Sequence, residues 1–266
     1  MKKTQMEARI LSQTRIKGNY WHSELLAPRI AKNALPGQFI NIRVSDNFDP
    51  FLRRPISIHG VSATSVRIFY EVVGKATEAL AQKKAGESLD IIGPLGNGFD
   101  FGKRMAGNEK QVLVAGGMGV APLMFAAQRL MENEKRKTKG RVIVLIGARR
   151  KDDLLCANDF KKLGCDVRIA TDDGSNGFKG RVSDLLEHLL SAIDYRLSAV
   201  YACGPKPMLQ AVADISNEYG LAAQLSLEEH MSCGIGACLG CVVKTKAGLK
   251  RVCKEGPVFL AKDLAW

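Results

Sequence analysis

The stretch Gln111-Val-Leu-Val-Ala-Gly-Gly-Met-Gly-Val-Ala-Pro122 opens as an apolar run and ends in a glycine loop closed by a proline. A short apolar run bounded by glycines reads as a buried strand, and the pattern that follows, Ala121 to Lys135, reads as a helix. Proline suits the first turn of that helix, where its missing N–H had no partner. The same unit repeats downstream. Strand-like runs at Val142 to Gly147, Asp166 to Ala170, Ala199 to Cys203 and Ala222 to Leu227 alternate with helical segments at Lys151 to Leu163, Val182 to Ile193 and Pro207 to Tyr219. Strand–helix repeats joined by right-handed crossovers predict a doubly wound α/β parallel sheet with ligands at the carboxyl ends of its strands.

Toward the amino terminus the pattern is different. Runs at Ala8 to Ile16, Tyr20 to Leu26, Gly37 to Val44, Pro55 to Val61, Val66 to Val73 and Glu87 to Ile92 are short, and Pro36-Gly37, Asp46-Asn47 and Gly93-Pro94 punctuate them. Six such strands and one small helix, Thr77 to Lys84, predict an antiparallel β-barrel. Beyond about Ser226 some forty residues hold four of the seven cysteines, too little chain for a core of its own without a metal or disulfide. The expected division is 1–103, a barrel; 104–225, the α/β domain; and 226–266, a small carboxyl-terminal metal segment.

Composition narrows the classes. The chain has 266 residues, 46% hydrophobic and 25% charged, as in ordinary globular proteins. Its longest uncharged apolar run, Val112 to Ala127, falls short of the roughly 20 residues a membrane-spanning helix needs, and Met1-Lys-Lys3 leads into polar residues with no secretory pattern. A cytoplasmic protein without a membrane span is expected. The surplus of 39 Lys and Arg over 27 Asp and Glu gives +12, a field that steers anionic ligands. Its densest run, Lys135, Arg136, Lys137, Lys139 and Arg141, lies at an expected helix end, where cations are favoured, and no aromatic residue interleaves with it to stack on bases. No nucleic-acid partner is expected.

Cys233, Cys238, Cys241 and Cys253 are spaced C-x4-C-x2-C-x11-C, and Gly234, Gly236 and Gly240 lie among the first three. That spacing suits plant-type 2Fe-2S binding by thiolates. Glycines let a loop turn tightly and aim N–H groups at the sulfurs. Structural zinc also takes four thiolates but favours two short-spaced pairs, and Cys253 has no close cysteine neighbour. Cys156 and Cys165 read as packing or inert thiols. His22, His59, His188 and His230 are scattered and predict no histidine ligation.

The glycine loop reads G-x-G-x-x-P, so Gly116, Gly117, Met118 and Gly119 are candidates to approach a dinucleotide pyrophosphate at a helix amino terminus. The next strand ends at Gly147-Ala-Arg-Arg-Lys151, without the acidic residue that holds the ribose hydroxyls of NAD. NAD and NADP both stay open. Cys203, Gly204 and Pro205 end the fourth strand at the same rim; Cys203 either faces a nicotinamide ring or packs in the core. In the barrel, Arg53-Arg-Pro-Ile-Ser57 offers an arginine fork for phosphate and a serine for a flavin edge. Gly74-Lys-Ala-Thr77 opens the small helix, with Thr77 read as its cap and neighbouring N–H groups left for a second phosphate contact.

Arg54-Pro-Ile-Ser57, the Gly74–Thr77 turn, Gly93-Pro-Leu-Gly-Asn-Gly-Phe99, Gly116–Pro122, Cys203-Gly-Pro205 and the cysteine group occur in one order. That order resembles the ferredoxin reductase superfamily and, within it, the electron transfer subunits of NAD-dependent dihydroorotate dehydrogenases. The resemblance covers nearly the whole chain and is most specific from Leu227 to Cys241 and from Val252 to Phe259. It implies FAD, a 2Fe-2S cluster and NAD(H), and a partner catalytic subunit carrying FMN, as a heterotetramer of two plus two. There dihydroorotate would be oxidised to orotate in pyrimidine synthesis. FAD contacts are implied at Arg54, Pro55, Ile56 and Ser57, at Phe69, Tyr70 and Glu71, and at Ala76 and Thr77; cluster ligands are implied at the four cysteines. Ala76 stands where the family commonly has glycine, and Pro55-Ile56 lacks a flavin-stacking tyrosine, so that partner is unassigned. A reductase feeding an oxygenase, and a zinc-stapled binding protein without redox activity, are the alternative readings.

Overall fold

The structure, a computed structural model, describes residues 3–45, 47–102, 109–133, 141–192 and 197–266. Asp46, the 103/104 boundary, Ile193 and the basic positions Lys135, Arg136, Lys137 and Lys139 lie outside the described residues. In chain order the first elements are β1 (Thr4–Lys17), β2 (Tyr20–Leu26), α1 (Pro28–Ala31), β3 (Phe39–Arg43), β4 (Arg54–Val61), β5 (Ser65–Glu71), α2 (Lys75–Gln82) and β6 (Ser88–Leu95). Then follow β7 (Lys110–Gly116), α3 (Val120–Asn133), β8 (Val142–Ala148), α4 (Ala157–Lys162), β9 (Asp166–Thr171), β10 (Phe178–Lys179), α5 (Val182–Ala192), β11 (Leu197–Cys203), α6 (Lys206–Glu218) and β12 (Ala223–Ser226). The chain ends with β13 (Val242–Thr245), β14 (Gly248–Arg251) and β15 (Val258–Leu260). Two compact units result: residues 1–98 with 229–243 and 249–257, and residues 99–228 with 244–248 and 258–266.

The first unit is built on a closed antiparallel barrel in the order β1-β2-β5-β4-β3-β6, with β6 returning to β1. Alternation along the strands sends Ala8, Ile10, Leu25, Ile40, Ile42, Ile58, Ile68 and Ile91 inward, where they are fully buried. Gln13 of β1 fixes α2, because its Nε2 donates to the Leu80 carbonyl at 2.8 Å and to the Tyr70 hydroxyl at 3.0 Å. α2 begins two residues before the predicted start. Its N-cap is Gly74, and Thr77 sits inside the first turn, so the expected threonine cap is corrected.

The second unit holds a seven-stranded sheet ordered β10-β9-β8-β7-β11-β12-β15. Its first six strands run parallel, as the repeat predicts, while β15 adds antiparallel to β12. Three residues are too few to announce a strand whose partner lies more than thirty positions away in the chain. α5 and α6 bury Leu186, Leu189, Leu209 and Val212 against Val112, Val114, Ile143, Leu145 and Val200. The expected helix Lys151 to Leu163 is broken into a 3-10 turn, Lys151–Asp153, and α4. Its apolar anchors, Leu155 and Phe160, are five apart and so fall on different faces of a continuous helix; the break buries both. Among the described residues no helix is long and apolar enough to cross a membrane. Replacing fully buried Leu186 with alanine should cost about 3 kcal/mol of stability, read as a lower urea midpoint.

Candidate functional site

Cys233, Cys238, Cys241 and Cys253 all lie in the barrel-bearing unit. Cys238 neighbours Cys233, and Cys241 neighbours Cys253. Main-chain N–H groups point at the sulfurs: Ala237 donates to Cys233 Sγ at 3.3 Å, Gly240 to Cys238 Sγ at 3.5 Å and Cys253 to Cys241 Sγ at 3.4 Å. Burial alone would raise the Cys233 thiol, but the N–H groups of Ile235, Cys238 and Ala237 hold it down at about 6. Cys253 is pushed up to about 12, by burial first and then by its neighbours Cys241 and Cys233. One thiolate forms readily and the next is opposed by it, a donor set that a cationic centre completes.

Among the described residues no three His, Cys, Asp or Glu side chains converge on one ion-sized point. Two thiol pairs, with thiols unequal in solvent exposure, fit a binuclear cluster better than a single tetrahedral zinc. Cys241 and Cys253 are buried and Cys238 is exposed. The loop takes a left-handed backbone at Gly234, φ +66°, where a Cβ would stand 2.5 Å from Asn41 Nδ2. Three side chains hold this loop and the segment that follows Cys253. Asn41 Nδ2 donates to the Cys233 carbonyl at 3.0 Å, Arg251 Nη1 to the Gly236 carbonyl at 2.8 Å, and Asn97 Nδ2 to the Glu255 carbonyl at 2.9 Å. Arg251 is itself paired with Glu255.

In the other unit, two predicted loops meet at the carboxyl edge of the sheet. β7 and β11 pair with Ala115 opposite Cys203. A Cβ on Gly119 would overlap the Cys203 carbonyl, and one on Gly116 would press Met208 Sδ at 2.6 Å and Pro205 Cδ at 3.0 Å. The Gly116–Gly119 and Cys203–Pro205 loops therefore interlock, and only glycine permits the spacing. Gly117 is exposed above them. Cys203 is half-buried, and burial of its thiol, then the Glu228 carboxylate, pushes it up to about 12. A protonated sulfur is no nucleophile and serves instead as a small polarizable surface.

At the barrel, β4 and β5 run antiparallel, which brings Arg54–Ser57 to the end of β4 that lies beside Phe69–Glu71. The Gly74–Thr77 turn follows directly. Thr77 Oγ1 accepts the N–H groups of Val73 at 2.9 Å and Gly74 at 3.2 Å, and the next N–H groups of α2 lack intrahelical acceptors by helix geometry. Tyr70 departs from the set, since its buried hydroxyl is taken by Gln13, and only its backbone can meet a ligand there. Sequence reading missed an aromatic group around Phe69. Tyr20 stacks on it at 6.1 Å, His59 lies 5.5 Å away, and His22 meets His59 at 5.7 Å. Two histidines scattered in sequence are thus neighbours across strands, which no local motif could signal.

Residues 228–265 match the family described as the iron-sulfur cluster binding domain of dihydroorotate dehydrogenase B, and residues 113–214 match the oxidoreductase NAD-binding domain. The "dihydroorotate dehydrogenase B (NAD(+)), electron transfer subunit" of Desulforamulus reducens is 41% identical over 267 residues, covering 98% of both chains. The chain belongs to this family of electron transfer subunits. The relative of the same description from Bacillus caldolyticus is 38% identical over 96% of each chain. A solved NADH-dependent reduced ferredoxin-NADP oxidoreductase, described for flavin-based electron bifurcation, matches with TM-score 0.82 and 29% identity over 97% of this chain and 90% of its own. A Neisseria gonorrhoeae ferredoxin NADP+ reductase with bound FAD and NADP shares the fold, with TM-score 0.66 and 16% identity over 81% of this chain and 92% of its own.

The raised Cys203 thiol has two consequences for family members with this loop. Its contribution to stability is intact below the ordinary thiol value of 9.0 and is lost as pH climbs toward about 12. At pH 8, iodoacetamide should leave Cys203 unmodified in the folded chain and label it in urea, as read by peptide mass spectrometry.

Proposed function

We propose that this chain carries electrons between NAD(H) and a partner catalytic subunit, as the electron transfer component of an NAD-linked dihydroorotate dehydrogenase in pyrimidine synthesis. The observation that carries the reading is the double thiol pair in a glycine loop fed by main-chain N–H donors, within the same unit as the barrel. In this reading the sequence segments 1–103, 104–225 and 226–266 serve FAD, NAD(H) and the cluster respectively.

Each group has its own residues. Gly116, Gly117, Met118 and Gly119 receive the pyrophosphate of NAD(H), whose negative charge suits the amino terminus of α3. Cys203, Gly204 and Pro205 present a neutral, compact face to the nicotinamide. Arg54 supplies a cation and Ser57 a hydroxyl to FAD, Pro55 and Ile56 an apolar surface, Phe69 and Glu71 the adjoining strand with the backbone of Tyr70, and Ala76 and Thr77 main-chain donors for phosphate. Cys233, Cys238, Cys241 and Cys253 hold the 2Fe-2S cluster. When bound, FAD supplies the exchange between the electron pairs of nicotinamide and the single electrons of iron and sulfur.

Removing two hydrogens from dihydroorotate needs a proton-abstracting site, and the motifs of this chain supply none. The relatives' name, electron transfer subunit, supports a catalytic partner, read here as a separate FMN-containing catalytic subunit, two of each chain forming a heterotetramer in the cytoplasm. The same likeness favours this reading over an oxygenase reductase, and the paired thiols weigh against a zinc-stapled protein.

The isolated chain should reduce ferricyanide with NADH yet leave dihydroorotate untouched until the catalytic subunit is added; turnover of dihydroorotate by the pure chain would refute the division of labour. Cys241→Ser should abolish the visible absorption of the cluster and its iron while the flavin peak survives, measured on the purified protein.

A further inference from the structure

Asn41 lies in the middle of β3, 1% exposed, between Ile40 and Ile42, which are fully buried in the barrel. It is clamped from both sides, opposite Pro55 on β4 and Ile92 on β6. Neighbours opposed in an antiparallel pair share a face, so Asn41 stands on the same side of the wall as Pro55, and Phe39 as Ser57. From this fixed position its Nδ2 donates to the carbonyl of Cys233 at 3.0 Å and packs against Gly234, the residue with left-handed backbone. Its Oδ1 has no hydrogen-bond partner among the described residues.

A buried acceptor left unpaired lowers stability. Leucine has nearly the same shape and no such cost, so an amide retained here for packing alone would be a poor choice. What the amide does supply is one directed donor to the main chain of Cys233, the first cysteine of the group. Arg251 holds the Gly236 carbonyl at the other side of the same turn, so Asn41 and Arg251 together fix both ends of Cys233–Gly236.

We propose that Asn41 is a positioning residue for the iron-sulfur centre, tying the Cys233 ligand loop to the barrel strand that pairs with Arg54–Ser57. This rests on the reading of the four cysteines as cluster ligands. Outer-shell partners of this kind change metal retention by about ten- to a hundredfold when lost.

The test uses the full-length purified chain and its Asn41→Leu variant, with iron, sulfide and flavin content, electron paramagnetic resonance of the dithionite-reduced protein, and the rate of iron loss to a chelator. Asn41→Leu should be folded by circular dichroism and keep its flavin. Its g-values should shift and iron loss should quicken about tenfold; a residue that merely fills space would move neither. Should Asn41→Leu fail to fold, Asn41→Ala removes the donor without adding bulk, with the same outcome expected. Unchanged g-values and iron loss in a folded variant overturn the assignment of Asn41 alone. A native chain without iron and sulfide overturns the ligand reading and this inference with it.

Discussion

Four cysteine sulfurs confined to one short loop and its neighbour repel one another once more than one of them is ionised, and the surroundings answer that constraint. Main-chain N–H groups from Ala237, Gly240 and Cys253 neutralise part of the charge. The remainder calls for a cation, because burial and the neighbouring cysteines keep Cys253 protonated otherwise. The loop supplies those donors by turning sharply, and the barrel wall holds the turn at Asn41. The cysteines are thus in one sense a product of the barrel, although they follow it by more than a hundred residues.

The sheet unit solves a different problem with a related device. Loops from adjacent strands pass close together here, so side chains have to be absent where they meet. Gly119 under the Cys203 carbonyl and Gly116 against Met208 achieve this by interlocking two loops from adjacent parallel strands. Burial at the interlock also pushes the Cys203 thiol up to about 12, which keeps its sulfur protonated. Packing and electrostatics here have the same cause.

Much of this was legible beforehand. The six barrel strands and five of the sheet strands lie within a few residues of where alternation and apolar runs put them, since period and burial are local properties of the chain. The iron-sulfur binding segment was legible because metal chemistry fixes the spacing of its cysteines. The shift of α2 by two residues and the split of Lys151–Leu163 were not, for both depend on what a side chain finds to touch: Thr77 the N–H groups behind it, Leu155 and Phe160 separate buried sites.

By itself, the sequence determined the order of units, the thiol donors and the glycine loops, because each is written in contiguous residues whose spacing carries the chemistry. Tertiary structure alone decided that the cysteine loop belongs with the barrel, that β15 completes the sheet of the other unit, that His22 and His59 meet, and that Asn41 reaches Cys233 across 192 positions of chain. Such contacts join residues with no local pattern in common. They exist because strands distant in sequence must pair to satisfy their backbone hydrogen bonds, and pairing brings whatever side chains they carry into reach.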